Sequence, residues 1–189
     1  MLPTVRLTLT SSRGFGLRAA RTFTTSHARH AKNQLFASVR HPTDLHTYQQ
    51  LAASARAPLL TLWTASWCGA CGAAEPLLRS LVGAGVGEPE GGVAFCSVQL
   101  DAPDIMSGGG GDSAAAAGGL GMMYMVTSVP TLLSFDAAGP VAASKVVDAR
   151  RLGDRAFLEE WIRSEARRSS GGGGGGGGGV LGGLFAGWR

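Results

Sequence analysis

Residues Pro58 to Trp63 read PLLTLW, and after three more residues the chain reads WCGAC, Trp67 to Cys71, where a helical pattern opens. A nearly continuous apolar run of this length is the signature of a strand buried on both faces, which needs cover from helices on either side. The two cysteines therefore fall where a buried strand ends and a helix, GAAEPLLRSLV with Pro76 inside it, begins.

The rest of the pattern extends this unit. LFASV (35–39) is a short strand-like run, and HPTDLHTYQQLAASA carries Leu45, Tyr48, Leu51 and Ala52 at helical spacing, with Thr43 or Asp44 as the expected cap. GVAFCSVQL (92–100) predicts a second buried strand ending at Asp101. TSVPTLLSF, the turn DAAG and PVAASKVVDA predict a hairpin, and GDRAFLEEWIRSEARR predicts a helix capped by Asp154 with Phe157, Leu158, Trp161 and Ile162 on one face. Between Ala102 and Gly121 the sequence is low in complexity, with at most one helical turn around Ser113 to Ala117. Helices alternating with buried strands and closing on a hairpin imply an α/β fold, a central mixed β-sheet flanked by helices on both faces.

A length of 189 residues and 44% apolar content suit one domain with tails. The formal charge of +4 is localised: seven bases precede the first acid, Asp44. Without residues 1–30, which hold five of the 17 bases and no acid, 12 bases face 13 acids and the net charge is −1. The basicity thus belongs to an arm with the composition of an organelle transit peptide, and no nucleic-acid partner is expected. RTFTTSHARH (21–30) resembles the stretch at which mitochondrial presequences are cut. A secretory signal would need an apolar run of about 7 to 15 residues, and none is present. The expected location is mitochondrial, in the matrix.

Three cysteines are too few and too odd in number for a disulfide framework. A zinc site needs about four ligands; His27, His30, His41 and His46 are scattered upstream, so no metal is expected. At a helix N-terminus unpaired backbone N–H groups and the helix dipole favour a thiolate, which makes Cys68 a nucleophile. Cys71, one helical turn on, lies on the same face and can attack the mixed disulfide that Cys68 forms. Cys96, inside a strand pattern, reads as a buried inert thiol.

ASWCGACGAAEPLL together with SVPTLLSFDAAG resembles the thioredoxin family over residues 35–168. The matching elements are Trp67, the Cys-Gly-x-Cys motif with Gly69 and Ala70, Pro76, and the Val-Pro-Thr that contains Val129 and Pro130. The resemblance implies the thioredoxin fold, a redox disulfide between Cys68 and Cys71, and a cis Pro130 facing the pair. It also implies a substrate groove shaped by Trp67, Gly69, Ala70, Val129 and Pro130. By the same resemblance the partners are protein disulfides and a thioredoxin-reductase-like electron donor, no organic cofactor is bound, and the chain acts as a monomer.

Two departures narrow this. The family's proline between the cysteines is Ala70, and its buried aspartate, six residues before the first cysteine, is Leu62. The lysine that accompanies that aspartate falls on Ser97. With both absent, proton handling at Cys71 is expected to depend on water or the substrate, giving a slower exchanger. The alternative is a non-catalytic or redox-sensing binding module on the same fold.

Trp63 is expected inside and Trp67 exposed. MMYM (122–125) is expected mainly in the core, with adaptable contacts beside a substrate groove as its other role. Residues 169–189 form a Gly-rich tail in which Gly171 to Gly179 act as a tether. Its end, VLGGLFAGWR (180–189), is a candidate for weak membrane contact.

Overall fold

The computed structural model describes residues 32–107 and 119–171. The expected presequence over 1–30, the helical turn around 113–117 and the apolar end at 180–189 lie outside these residues.

The apolar run becomes the central strand β2 (Leu59–Thr64), all six residues of which are buried. It sits third in a five-stranded sheet whose order is β1 (Gln34–Leu35), β3 (Ala94–Gln99), β2, β4 (Thr131–Asp136) and β5 (Gly139–Val146). β2 pairs in parallel with β3, and antiparallel with β4, while β4 and β5 form the antiparallel hairpin expected from the turn. Parallel neighbours require a crossover, which is supplied by α2 (Gly69–Gly83).

Alternation along β2 divides the core. Leu59 and Trp63 point to one side, into a cluster with Leu45 and Ala52 of α1 (Pro42–Ser54), Cys96, Val98, Leu133 and Phe135. Ile105 of α3 (Pro103–Ser107) and Leu120 of α4 (Gly119–Met123) close that side. Leu60 and Leu62 point to the other, against Ala74, Leu78, Leu81 and Val82 of α2, Leu152 of α5 (Ala149–Leu152), and Leu158, Trp161 and Ile162 of α6 (Arg155–Gly171). Each fully buried leucine contributes roughly 1.5–3 kcal/mol, so both faces are held by apolar burial. The buried hydroxyl of Thr61 donates to the Leu133 carbonyl (2.9 Å) and accepts from the Trp63 indole N–H (3.0 Å), leaving no polar conflict at the centre. A mixed sheet covered on both faces in this order is the thioredoxin fold that the sequence implied.

Four expectations are corrected. LFASV is not one strand: pairing covers Gln34–Leu35 and then a single bridge from Val39 to Val98. Neither Thr43 nor Asp44 caps α1. His41 is the N-cap, without a side-chain cap bond, and Pro42 starts the helix, where its missing N–H costs nothing. The segment 102–121 is helical at both ends, in α3 and α4. Residues 169–171 belong to α6 rather than to the tail. Asp154 does cap that helix, accepting from the Ala156 N–H at 2.9 Å.

Candidate active site

β2 delivers the chain to its carboxyl edge, and Ala65 to Trp67 carry it into α2. There Cys68 is the N-cap, in extended conformation, and its Sγ accepts the backbone N–H of Cys71 at 3.2 Å. A sulfur at this position takes one of the helix's unpaired donors, which is the local reason a thiolate is favoured there. The stabilising N–H comes from Cys71. Cys68 and Cys71 are joined by a disulfide with Cα atoms 5.3 Å apart. Their surroundings differ: Cys68 is half-buried at the surface, whereas Cys71 is only 3% exposed, behind it.

The flanking residues leave access open. Trp67 is 76% exposed, and Gly69 and Ala70 are exposed on the first turn of α2. A Cβ added at Gly69 or Gly72 would meet nothing within 4 Å, so the space beside these glycines is open. Pro76 lies exposed within α2 and removes one helical hydrogen bond a turn beyond Cys71.

Sheet register brings the third part. Trp63 pairs with Thr131, which sets Pro130 beside the end of β2, at the edge from which Cys68 emerges. The Val129–Pro130 bond is cis, as the resemblance implied. Pro130 is buried and Val129 half-buried. β3 leads into Asp101, whose carboxylate accepts the Ser66 backbone N–H at 2.8 Å and the Ser66 hydroxyl. These bonds hold its pKa below the ordinary 3.8.

Cys96 stands apart. It faces the opposite side of the sheet, is fully buried, and burial pushes its thiol up to about 12, with Arg79 pulling slightly the other way. Trp63 is fully buried, as expected. The methionines are not: Met122, Met123 and Met125 are exposed, and only Tyr124 of MMYM reaches the core, edge-on to Phe135 at 5.0 Å. The helical turn of α4 points its thioethers outward because Leu120 and Val126 already fill the inward positions.

Spacing did not disclose a polar cluster one turn along α2. Leu62 is fully buried and pairs with Ser97 in register. The Ser97 hydroxyl donates to Oε1 of Glu75 at 2.7 Å and meets the Ser38 hydroxyl at 2.6 Å. Arg79 donates from Nε to the same Glu75 oxygen (3.1 Å), from Nη1 to the Phe36 carbonyl (3.1 Å) and from Nη2 to Ser97 (3.3 Å). Its guanidinium also lies 5.5 Å from the Phe95 ring centre. Glu75 and Arg79 stand at i, i+4 on α2, and the register of β3 brings Ser97 to them.

Among the described residues no group of three or more His, Cys, Asp or Glu side chains could hold a metal ion, and no helix is long and apolar enough to cross a membrane. The arrangement can form, hold and open a disulfide.

No family model and no curated protein matches the chain. Among solved structures it is similar to a mutant thioredoxin of Halobacterium salinarum, at 23% identity over 72% of this chain and 94% of that one, TM-score 0.48. It is also similar to oxidised thioredoxin O1 of Arabidopsis thaliana, at 20% identity over 71% and 99% of the two chains, TM-score 0.48. A third is oxidised mitochondrial thioredoxin 3 of Saccharomyces cerevisiae, at 20% identity over 72% and 98%, TM-score 0.42.

Proposed function

We propose that this chain is a thiol–disulfide oxidoreductase of the thioredoxin type, acting on protein disulfides in mitochondria through its Cys-Gly-Ala-Cys pair. Cys68 attacks a substrate disulfide and Cys71 resolves the mixed disulfide. Trp67, Gly69, Ala70, Val129 and Pro130 line the docking surface, where an extended substrate segment lies. The reading rests on one observation above the others: a disulfide whose first sulfur caps a helix at the surface, with the second buried behind it. Electrons come from a reductase partner and no organic cofactor is required. The unit works as a monomer spanning 35–168, with 102–121 inserted, α6 running on to Gly171, and the chain from 172 on as a tail whose end is a candidate for weak membrane contact.

Reduction of insulin disulfides with dithiothreitol as donor tests the activity. Wild type is expected to accelerate it at least tenfold over Cys68→Ser; equal rates for the two would end the enzyme reading. Residues 1–40 fused to a fluorescent protein test the address, and the expected outcome is matrix import with loss of the basic arm.

Leu62 favours a second reading. A buried leucine pairing with Ser97 offers no strand carboxylate near the cysteines, which suits a redox-sensing adaptor with little turnover. That reading predicts partner capture that changes with the oxidation state of the pair, without multiple turnovers.

A further inference from the structure

Resolution of a mixed disulfide requires Cys71 as a thiolate, yet Cys71 is 3% exposed, and burial disfavours a charged sulfur. Whatever removes its proton must be close and must keep its own charge. On α2, from Gly69 to Ser80, the ionisable side chains besides Cys71 are Glu75 and Arg79, and only Glu75 can accept a proton. The strands below present Leu60, Leu62, Phe95 and Ser97 to this side, and α6 presents Leu158, Trp161 and Ile162; its buried Glu165 is engaged by Arg168, and Asp101, past β3, is engaged by Ser66. Glu75 follows Cys71 by four residues, so the two share a helix face, with Cβ atoms about 5–6 Å apart.

The carboxylate is prepared for this use. Oε1 accepts from both Ser97 and Arg79, and among the described residues neither Oε2 nor any other Glu75 side-chain atom enters a further hydrogen bond. One oxygen is thus anchored while the other is free to take a proton. Arg79 is itself fixed at the Phe36 carbonyl and over the Phe95 ring, so its positive charge stays beside Glu75. Glu75 retains 29% side-chain exposure, enough to pass a proton on to solvent.

We propose that Glu75 is the proton acceptor for Cys71, held in place by Ser97 and Arg79. The inference rests on the oxidoreductase reading above. In the step, the Cys71 S–H bond breaks and its proton goes to Glu75. The thiolate attacks Cys68 Sγ, the Cys68–Cys71 bond forms, and the bond from Cys68 to the substrate sulfur breaks. The substrate sulfur leaves with the electron pair and is protonated by water, while Glu75 returns its proton to solvent. The two cysteines are oxidised and the substrate disulfide is reduced.

Stopped-flow mixing of reduced full-length protein with an aryl disulfide separates the two attacks, because each releases a coloured thiolate. In wild type a first phase reports Cys68 and a second reports Cys71. Glu75→Gln keeps both anchoring acceptor bonds, so the first phase is expected to stay within about twofold. The second is expected to slow by about a hundredfold or more, the range a positioned base supplies. Its dependence on pH should become that of a lone thiol. Glu75→Asp, which restores an acid, should recover part of the second phase. Equal second phases in wild type and Glu75→Gln would overturn the proposal, as would equal slowing of both phases. Should Glu75→Gln fail to fold by circular dichroism, Glu75→Ala decides, since it removes the carboxylate and a second phase identical to wild type across pH 5–9 would also overturn it. Absence of any first phase in wild type would instead remove the oxidoreductase reading itself.

Discussion

Asp101, just past the end of β3, accepts two hydrogen bonds from Ser66, one from the backbone N–H at 2.8 Å and one from the hydroxyl. The carboxylate therefore ties the edge of one strand to the loop that carries Cys68 off its neighbour. Both donors favour the ionised form, and the folded-state pKa lies below 3.8. A depressed acid stabilises the fold above its unfolded value and loses that contribution as pH falls through its folded value. Asp101→Asn should therefore melt below wild type at pH 7, with the gap closing as acid takes the pH below the ordinary carboxylate value of 3.8. Melting curves across this range check it, and a gap that stays constant would show that the Ser66 bonds do not favour the charge.

Burial sets the behaviour of Cys96. A thiol pushed up to about 12 is ionised in roughly one molecule in 10⁴ at pH 8, and only the thiolate reacts. Iodoacetamide at pH 8 should modify Cys68 of the reduced native protein and leave Cys96 untouched until urea unfolds the chain. Peptide mass mapping reads both sites. Cys96→Ala deletes one buried atom and should cost about 1 kcal/mol without altering disulfide exchange.

What the sequence disclosed follows from where its patterns were strong. β2 is apolar at nearly every position and α2 repeats at 3.6, so their junction, and with it the placing of Cys68 and Cys71, was legible. β1 was not, because an edge strand of two residues has no period to detect. The cap of α1 went to His41 and Pro42 rather than to a hydroxyl or carboxylate, since proline fixes the first turn. α5 is four residues long and is announced only by Asp148, which accepts the Arg150 N–H at 2.9 Å. The methionines of MMYM read as core by composition, but the direction in which a one-turn helix faces depends on its neighbours. The cluster of Glu75, Arg79 and Ser97 needed the pairing of two strands and a helix, which no local window contains.

Gly119 opens α4 against the end of α3 at a point where no side chain fits. Its φ is +69°, and an added Cβ would lie 2.4 Å from the Met106 carbonyl oxygen and 2.6 Å from that of Ile105. Both obstacles are backbone and cannot rotate away. The left-handed conformation alone costs an alanine roughly 1 kcal/mol, and the clash adds to it. Gly119→Ala should lose at least about 2 kcal/mol in urea denaturation and expose Leu120; a loss under about 0.5 kcal/mol would mean that the two short helices are not held together as described.

Trp67 is the large side chain nearest in sequence to the reacting sulfur, and it is 76% exposed. So little of its area is buried that Trp67→Ala should change stability by no more than about 0.5 kcal/mol, as for surface substitutions generally. Its exposed ring offers area that a docking partner can cover, and aromatic anchors supply much of the energy at docking surfaces. A small aryl disulfide reaches Cys68 without that contact, whereas a protein disulfide brings a segment that lies across the ring. Trp67→Ala should therefore leave the rate with the small disulfide within about threefold and lower kcat/KM for insulin by at least tenfold, about 1.4 kcal/mol, mostly through KM. Equal losses on both substrates would place the tryptophan in support of Cys68 itself, and no loss on either would remove it from the docking surface.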